Sequence, residues 1–198
     1  MKHLVVPQLD PRLRSIKPKR CRIVYKNRTE FRKEKGQSHS TLAQSIVNRH
    51  GISTVIIDAH TPKDTIAHEF GHVALGHESP YVKDKGESWN KSESLRQHVG
   101  KEIRAWMWAK KHWEEPYNIK TKLFAFNQWI GKVLYIGQTH YDVSGDKVVD
   151  TVVSELDKVG ITVSKQTQTR WKKVVNDPDW LRDVAKDKRE MLIDQRKA

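Results

Sequence analysis

The tightest constraint on this chain is the stretch His68-Glu69-Phe70-Gly71-His72, two histidines and a glutamate set in an otherwise apolar run. Positions i and i+4 share one face of an α-helix, so both imidazoles can reach a single ion. Burying such groups on an apolar helix is costly unless they bind something. Glu69 stands beside the first histidine and can reach a metal-bound water without being a ligand. Zinc lowers the pKa of that water towards neutrality, and the carboxylate takes its proton to make a nucleophile. The spacing therefore points to a zinc site with His68 and His72 as ligands and Glu69 as general base.

The surrounding sequence suits an active-site helix. Ser53–Asp58 (STVIID) is a β-branched run that reads as a strand, and His60–Asp64 (HTPKD) is a turn containing Pro62. A helix is expected from Thr65 to about Leu75, capped by Asp64 or Thr65 and ended by Gly76. Its remaining positions, Ile66, Ala67, Phe70, Val73, Ala74 and Leu75, are apolar or small and are expected to be buried.

A catalytic zinc keeps three protein ligands and one open position. The third ligand must come from a separate element that approaches the face carrying the histidines. Glu102 is the preferred candidate, on a second helix that runs to about Trp113 and is capped by Ser92 or Ser94. Ala105, one turn along, would let that helix pack closely. His77 lies five residues past His72, at the wrong angle unless Gly76 breaks the helix sharply, and reads as an outer partner or a surface residue. His98, one turn before Glu102, and His112 remain alternatives. Trp106, Trp108 and Trp113 read as core and pocket wall.

At 198 residues, with 36% hydrophobic and 31% charged residues, the chain is long enough to bury a core and is not of disordered composition. No apolar run is long enough for a bilayer span, and Pro7 and Pro11 break the N-terminal stretch, so no membrane partner is expected. A single cysteine, Cys21, excludes an internal disulfide framework and an all-cysteine zinc site. A cytoplasmic protein is the expectation. The net charge of +13 is concentrated at the start, where residues 1–40 hold twelve Lys/Arg against three Asp/Glu. Such a block is an electrostatic footprint for nucleic acid, or else simply a solvated surface.

Three regions follow: a basic N-terminal arm over 1–35, a metallopeptidase domain over 36–116, and a helical C-terminal domain over 117–198. Within them, Arg22–Tyr25 is a strand candidate and Thr41–His50 reads as a short helix stopped by Gly51. Residues 78–92 are loop-like, and Leu123–Gly137 is a helix or a strand pair. Lys147–Lys158, Gln166–Val175 and Asp179–Arg189 read as helices. The Gly160 turn between the first two of these allows a helix-turn-helix, with Lys165, Gln166, Gln168, Thr169, Arg170, Lys172 and Lys173 as donors. An ordinary helical packing domain has the same pattern.

Thr65-Ile-Ala-His-Glu-Phe-Gly-His-Val-Ala-Leu-Gly-His77 resembles the active-site helix of the ImmA/IrrE family of zinc metallopeptidases, which are gluzincin-like. Glu102-Ile-Arg-Ala-Trp-Met-Trp-Ala109, followed by Pro116, is similar to that family's second motif. The likeness covers about residues 40–116. It implies an α+β, zincin-like peptidase domain with a small sheet and an active-site helix, followed by a mostly helical region. It also implies His68, His72 and Glu102 as zinc ligands, Glu69 as general base, and as substrate a cytosolic transcriptional repressor, often in phages or mobile elements. The rival from another class is a nucleic-acid-binding protein with a structural zinc site. A third possibility is a SprT-like DNA-associated protease, whose third ligand would be a histidine such as His98 or His112.

Overall fold

The computed structural model describes residues 8–26, 43–48, 50–58, 61–77, 91–113, 133–134, 141 and 143–179. Most of the 78–92 and Leu123–Gly137 segments, and all but the first residue of Asp179–Arg189, lie outside the described residues. The described elements form a mixed α+β chain with a three-stranded sheet and several helices. The chain divides into two compact units, Met1–Val82 with Arg104–Glu114, and Lys83–Ile103 with Glu115–Ala198.

In the first unit, helix α1 (Pro11–Ile16) is followed by strands β1 (Cys21–Tyr25), β2 (Ala43–Ile46) and β3 (Ser53–Ile57). The sheet order is β1-β3-β2. Strand β3 is central and buried along its whole length, as its β-branched sequence requires. It pairs in parallel with β1, Cys21 opposite Ser53, and antiparallel with β2, Ala43 opposite Ile57.

Residues 10–25, expected to belong to an arm, are built into this unit. Asp10 caps α1 by accepting from the Arg12 backbone N–H at 2.9 Å, and Leu13 is buried. The Lys17 ammonium donates to the Cys21 carbonyl at 2.6 Å, and Arg22 donates to Thr54 Oγ1 at 2.9 Å. Several of the basic side chains therefore serve the fold. The rest of the 1–35 segment lies outside the described residues.

The helix expected over Thr41–His50 is not formed, because Ala43–Ile46 pairs with β3 instead. Gly51 sits in the hairpin turn rather than at a helix end. The turn is held by side chains: Asn48 Oδ1 accepts from the His50 N–H at 2.9 Å, and Ser53 Oγ accepts from the Asn48 N–H at 3.0 Å.

Helix α2 (Lys63–Ala74) follows β3 after a short turn. Thr61 Oγ1 accepts from the Asp58 N–H at 2.9 Å, and both residues are buried. Pro62 stands at the N-cap position, so the helix begins two residues before the expected start, and neither Asp64 nor Thr65 caps it. Ile66, Ala67 and Phe70 are buried, whereas Val73 is half-buried and Ala74 and Leu75 are exposed.

Helix α3 (Lys91–His112) is continuous, with its residues from Arg104 onward in the first unit. It begins before Ser92 and Ser94, which lie inside it rather than at its cap. Trp113, just past its end, is buried, with the Arg12 guanidinium 5.3 Å from its ring centroid.

In the second unit, helices α4 (Gly145–Asp157) and α5 (Lys165–Val175) match the two expected there. Val148, Val149, Val152 and Leu156 form the buried stripe of α4. Gly160 adopts φ 77, and the Ile161 N–H returns to the Leu156 carbonyl at 3.0 Å, which ends α4. At the far end of the pair, Asn176 donates to Asp146 at 2.7 Å and Lys172 pairs with Asp150 at 2.7 Å.

Candidate metal centre

His68 and His72 lie one turn apart on the buried face of α2, only 6% and 8% exposed. Their Nε2 atoms approach to 3.1 Å, and the rings stand at 90° to each other. Two nitrogens bound to one tetrahedral zinc at about 2.0–2.1 Å lie roughly 3.4 Å apart. The observed pair is within a few tenths of an ångström of that spacing, so the two imidazoles fit one ion without rearrangement of the helix. Their donor type also suits zinc, since neutral imidazole is a common ligand for it.

Glu102 completes the group. It lies on α3, and His68, His72 and Glu102 each offer a ligand atom within 4.8 Å of the others. Among the described residues this is the group that could hold a metal ion. Trp106, one turn past Glu102 on the same helix, sets its ring 4.7 Å from that of His68 and so forms a wall beside the site.

The approach of α2 to the Arg104–His112 part of α3 depends on Gly71. A Cβ on that residue would fall 2.6 Å from the Ala105 carbonyl oxygen, closer than real contacts allow, and 3.0 Å from its Cα. The sequence singles out Ala105 as the small contact surface. It does not single out Gly71, the second half of the same contact, because the middle positions of the motif read only as spacers.

Glu69 lies on α2 next to His68 in sequence and is half-buried. The other candidate histidines are placed differently. His98 sets its ring 5.9 Å from Tyr141. His112 is exposed at the end of α3, stacked on Trp108 at 4.2 Å with its Nδ1 2.8 Å from the Trp108 carbonyl. Neither belongs to the group around His68 and His72.

His77 is nearer than its spacing suggests. It is buried, and its Nδ1 lies 3.1 Å from His72 Nδ1. The sharp break at Gly76 that this requires is present, with φ 65 at that residue.

No known protein family, curated protein or solved structure matches this chain. The features of the site are two converging imidazoles, a carboxylate as third donor, an adjacent half-buried glutamate and an aromatic wall.

On α5, Lys165, Gln166, Thr169, Arg170 and Lys173 are exposed or half-buried. The other two expected donors are engaged within the unit, Gln168 with the Val163 carbonyl at 2.8 Å and Lys172 with Asp150. Among the described residues no helix is long and apolar enough to cross a membrane.

Proposed function

We propose that this chain is a zinc-dependent metalloendopeptidase of the zincin-like kind, with His68, His72 and Glu102 holding the ion and Glu69 as general base. The observation that carries this reading is the 3.1 Å convergence of the two Nε2 atoms, with Glu102 brought beside them and Glu69 adjacent to His68. Bound zinc supplies Lewis acidity, which lets water act as a nucleophile near neutral pH. Glu69 accepts the proton of the attacking water and returns it to the departing amine. His68 and His72 would hold the ion through the converging Nε2 atoms. Glu102 contributes a negative charge that partly offsets the dication. Trp106 excludes water from one side of His68 and raises the effective strength of these charges.

By the motif resemblance of Thr65–His77 and Glu102–Ala109 to the ImmA/IrrE family, the substrate would be a transcriptional repressor, in a phage, mobile-element or stress setting within the cytoplasm. The deciding experiment compares the wild-type chain and Glu69→Gln on a pool of quenched fluorogenic peptides and on candidate repressors. The variant is expected to keep its zinc and lose about 10²–10⁴ in rate. Equal cleavage by both proteins would remove Glu69 from the mechanism. A zinc-loaded wild type that cleaves nothing in either set would sink the peptidase reading.

A second reading, nucleic-acid binding with or without proteolysis, is favoured by α5. Gln166, Thr169, Arg170 and Lys173 recur at helical spacing, and no acidic residue occurs between Ile161 and Asn176. Such a face offers phosphate contacts and side-chain amide and hydroxyl donors. A SprT-like arrangement would further require a histidine in the place Glu102 takes here.

A further inference from the structure

The end of α2 has a geometry that the ligand set alone does not require. Gly76 takes the left-handed conformation, φ 65, and the chain reverses there. The His77 N–H bonds to the His72 carbonyl at 2.9 Å, and the Gly76 N–H to the Val73 carbonyl at 3.2 Å. This pair of bonds is a Schellman termination, in which the residue after the left-handed one folds back over the helix residue five positions earlier. That contact is usually apolar. Here it joins two imidazoles, His72 and His77, with Nδ1 to Nδ1 at 3.1 Å and ring centroids 5.2 Å apart.

We infer that His77 is a positioning residue that fixes the tautomer and ring orientation of the metal ligand His72; this rests on the metal reading proposed above. His72 uses opposite edges of its ring. Nε2 faces His68 Nε2 and Nδ1 faces His77 Nδ1, each at 3.1 Å. A neutral imidazole that ligates through Nε2 must carry its proton on Nδ1. That proton needs an acceptor, and His77 Nδ1 stands at hydrogen-bonding distance for it. His77 is then the tautomer protonated on Nε2. Outer partners of this kind are more often carboxylates or carbonyls. A neutral imidazole holds the ligand in the same way while adding no further negative charge to a site that already has Glu102. Because the partner comes from the helix's own stop, its position is set by backbone hydrogen bonds rather than by a distant element.

The test uses the full chain and three variants, His77→Ala, His77→Phe and His77→Asn. Asparagine keeps an acceptor oxygen near the place of Nδ1, whereas phenylalanine keeps a ring without one. Zinc affinity is measured by chelator competition, and the His72 tautomer by ¹⁵N-resolved imidazole NMR on metal-free protein. His77→Ala and His77→Phe are expected to weaken zinc by about 10–100-fold and to release the His72 proton from Nδ1. His77→Asn should restore most of both. Wild-type affinity and an unchanged tautomer in His77→Ala would overturn the inference, as would equal behaviour of the Phe and Asn variants. If His77→Ala fails to fold, the Phe–Asn comparison decides alone. A wild type that binds no zinc would sink the metal reading instead. The metal-free tautomer would still decide this inference, supporting it if the variants release the proton and overturning it if they do not.

Discussion

A first side-chain carbon on Gly71 would lie 2.6 Å from the carbonyl oxygen of Ala105, so these two residues set how near α2 and the Arg104–His112 part of α3 can come. The obstacle is backbone rather than a flexible side chain, and it cannot swing aside. Gly71→Ala should therefore push the helices apart despite alanine's better helix propensity. We expect a loss of about 1–3 kcal/mol in denaturant unfolding and weakened zinc binding. An unchanged unfolding midpoint with unchanged zinc content would mean that the close approach is not a feature of the protein in solution.

The ligand set makes a separate prediction. His68→Ala, His72→Ala and Glu102→Ala should each reduce zinc affinity by more than the roughly 10–100-fold expected for losing an outer partner. His98→Ala and His112→Ala should leave zinc stoichiometry intact, since neither ring joins the group. Elemental analysis after dialysis distinguishes the two sets. If His98→Ala or His112→Ala empties the site while Glu102→Ala does not, the third donor is a histidine.

Asp10 offers a test of stability against pH. Its carboxyl is held below its ordinary range first by the Lys63 ammonium at 2.8 Å, then by the Arg12 backbone N–H. The folded state prefers the ionised form, so the contribution is present above the unfolded pKa and lost as pH falls through the folded one. Asp10→Asn should lower the thermal midpoint at neutral pH, and the gap to wild type should narrow towards about pH 3. A gap that stays constant across that range would show that the carboxylate charge contributes nothing.

Cys21 is buried in β1, and burial is the main cause pushing its thiol up from the ordinary value. The reactive species is the thiolate, so reaction with a disulfide reagent at neutral pH should be slow in the native chain and fast after unfolding. Rapid labelling of the native protein would place Cys21 at an accessible surface.

For nucleic acid, the two basic regions can be separated. Removing residues 1–35 would also remove β1, so charge reversal is the cleaner tool. Reversing Lys165, Arg170 and Lys173 to Glu should weaken duplex DNA binding and reduce the salt slope by about 0.9 for each phosphate no longer neutralised. Reversing Arg14, Lys19 and Arg20 instead should have the larger effect if the N-terminal region dominates. Duplex binding that both triple variants leave unchanged would place the nucleic-acid contacts elsewhere or make them adventitious.

The parts of the fold that the sequence expresses most clearly are those where local pattern and burial agree. Strand β3 is β-branched from Thr54 to Ile57 and central, and α2 and α4 carry apolar stripes that end at Gly76 and Gly160, both with positive φ. Strand β2 is not legible in the same way. Leu42, Ile46 and Val47 fall at helical spacing, yet pairing with β3 outweighs local preference, and Ile46 is left 49% exposed. The nearness of His77 to His72 is hidden for a related reason. Face arguments assume that the helix continues, whereas a left-handed residue resets the direction of everything after it.

The turn at Gly76 also changes what counts as the unit of this site. The helix stop and the outer contact of His72 are one structure, so on the role inferred for His77 the five-residue motif would not be a self-sufficient cassette. Grafting it onto another scaffold would require the continuous segment from His68 to His77, glycine included, with the same number of residues between second ligand and stop. One residue inserted between Val73 and Gly76 would keep His68, Glu69 and His72 in place, yet carry His77 about 100° around the helix axis.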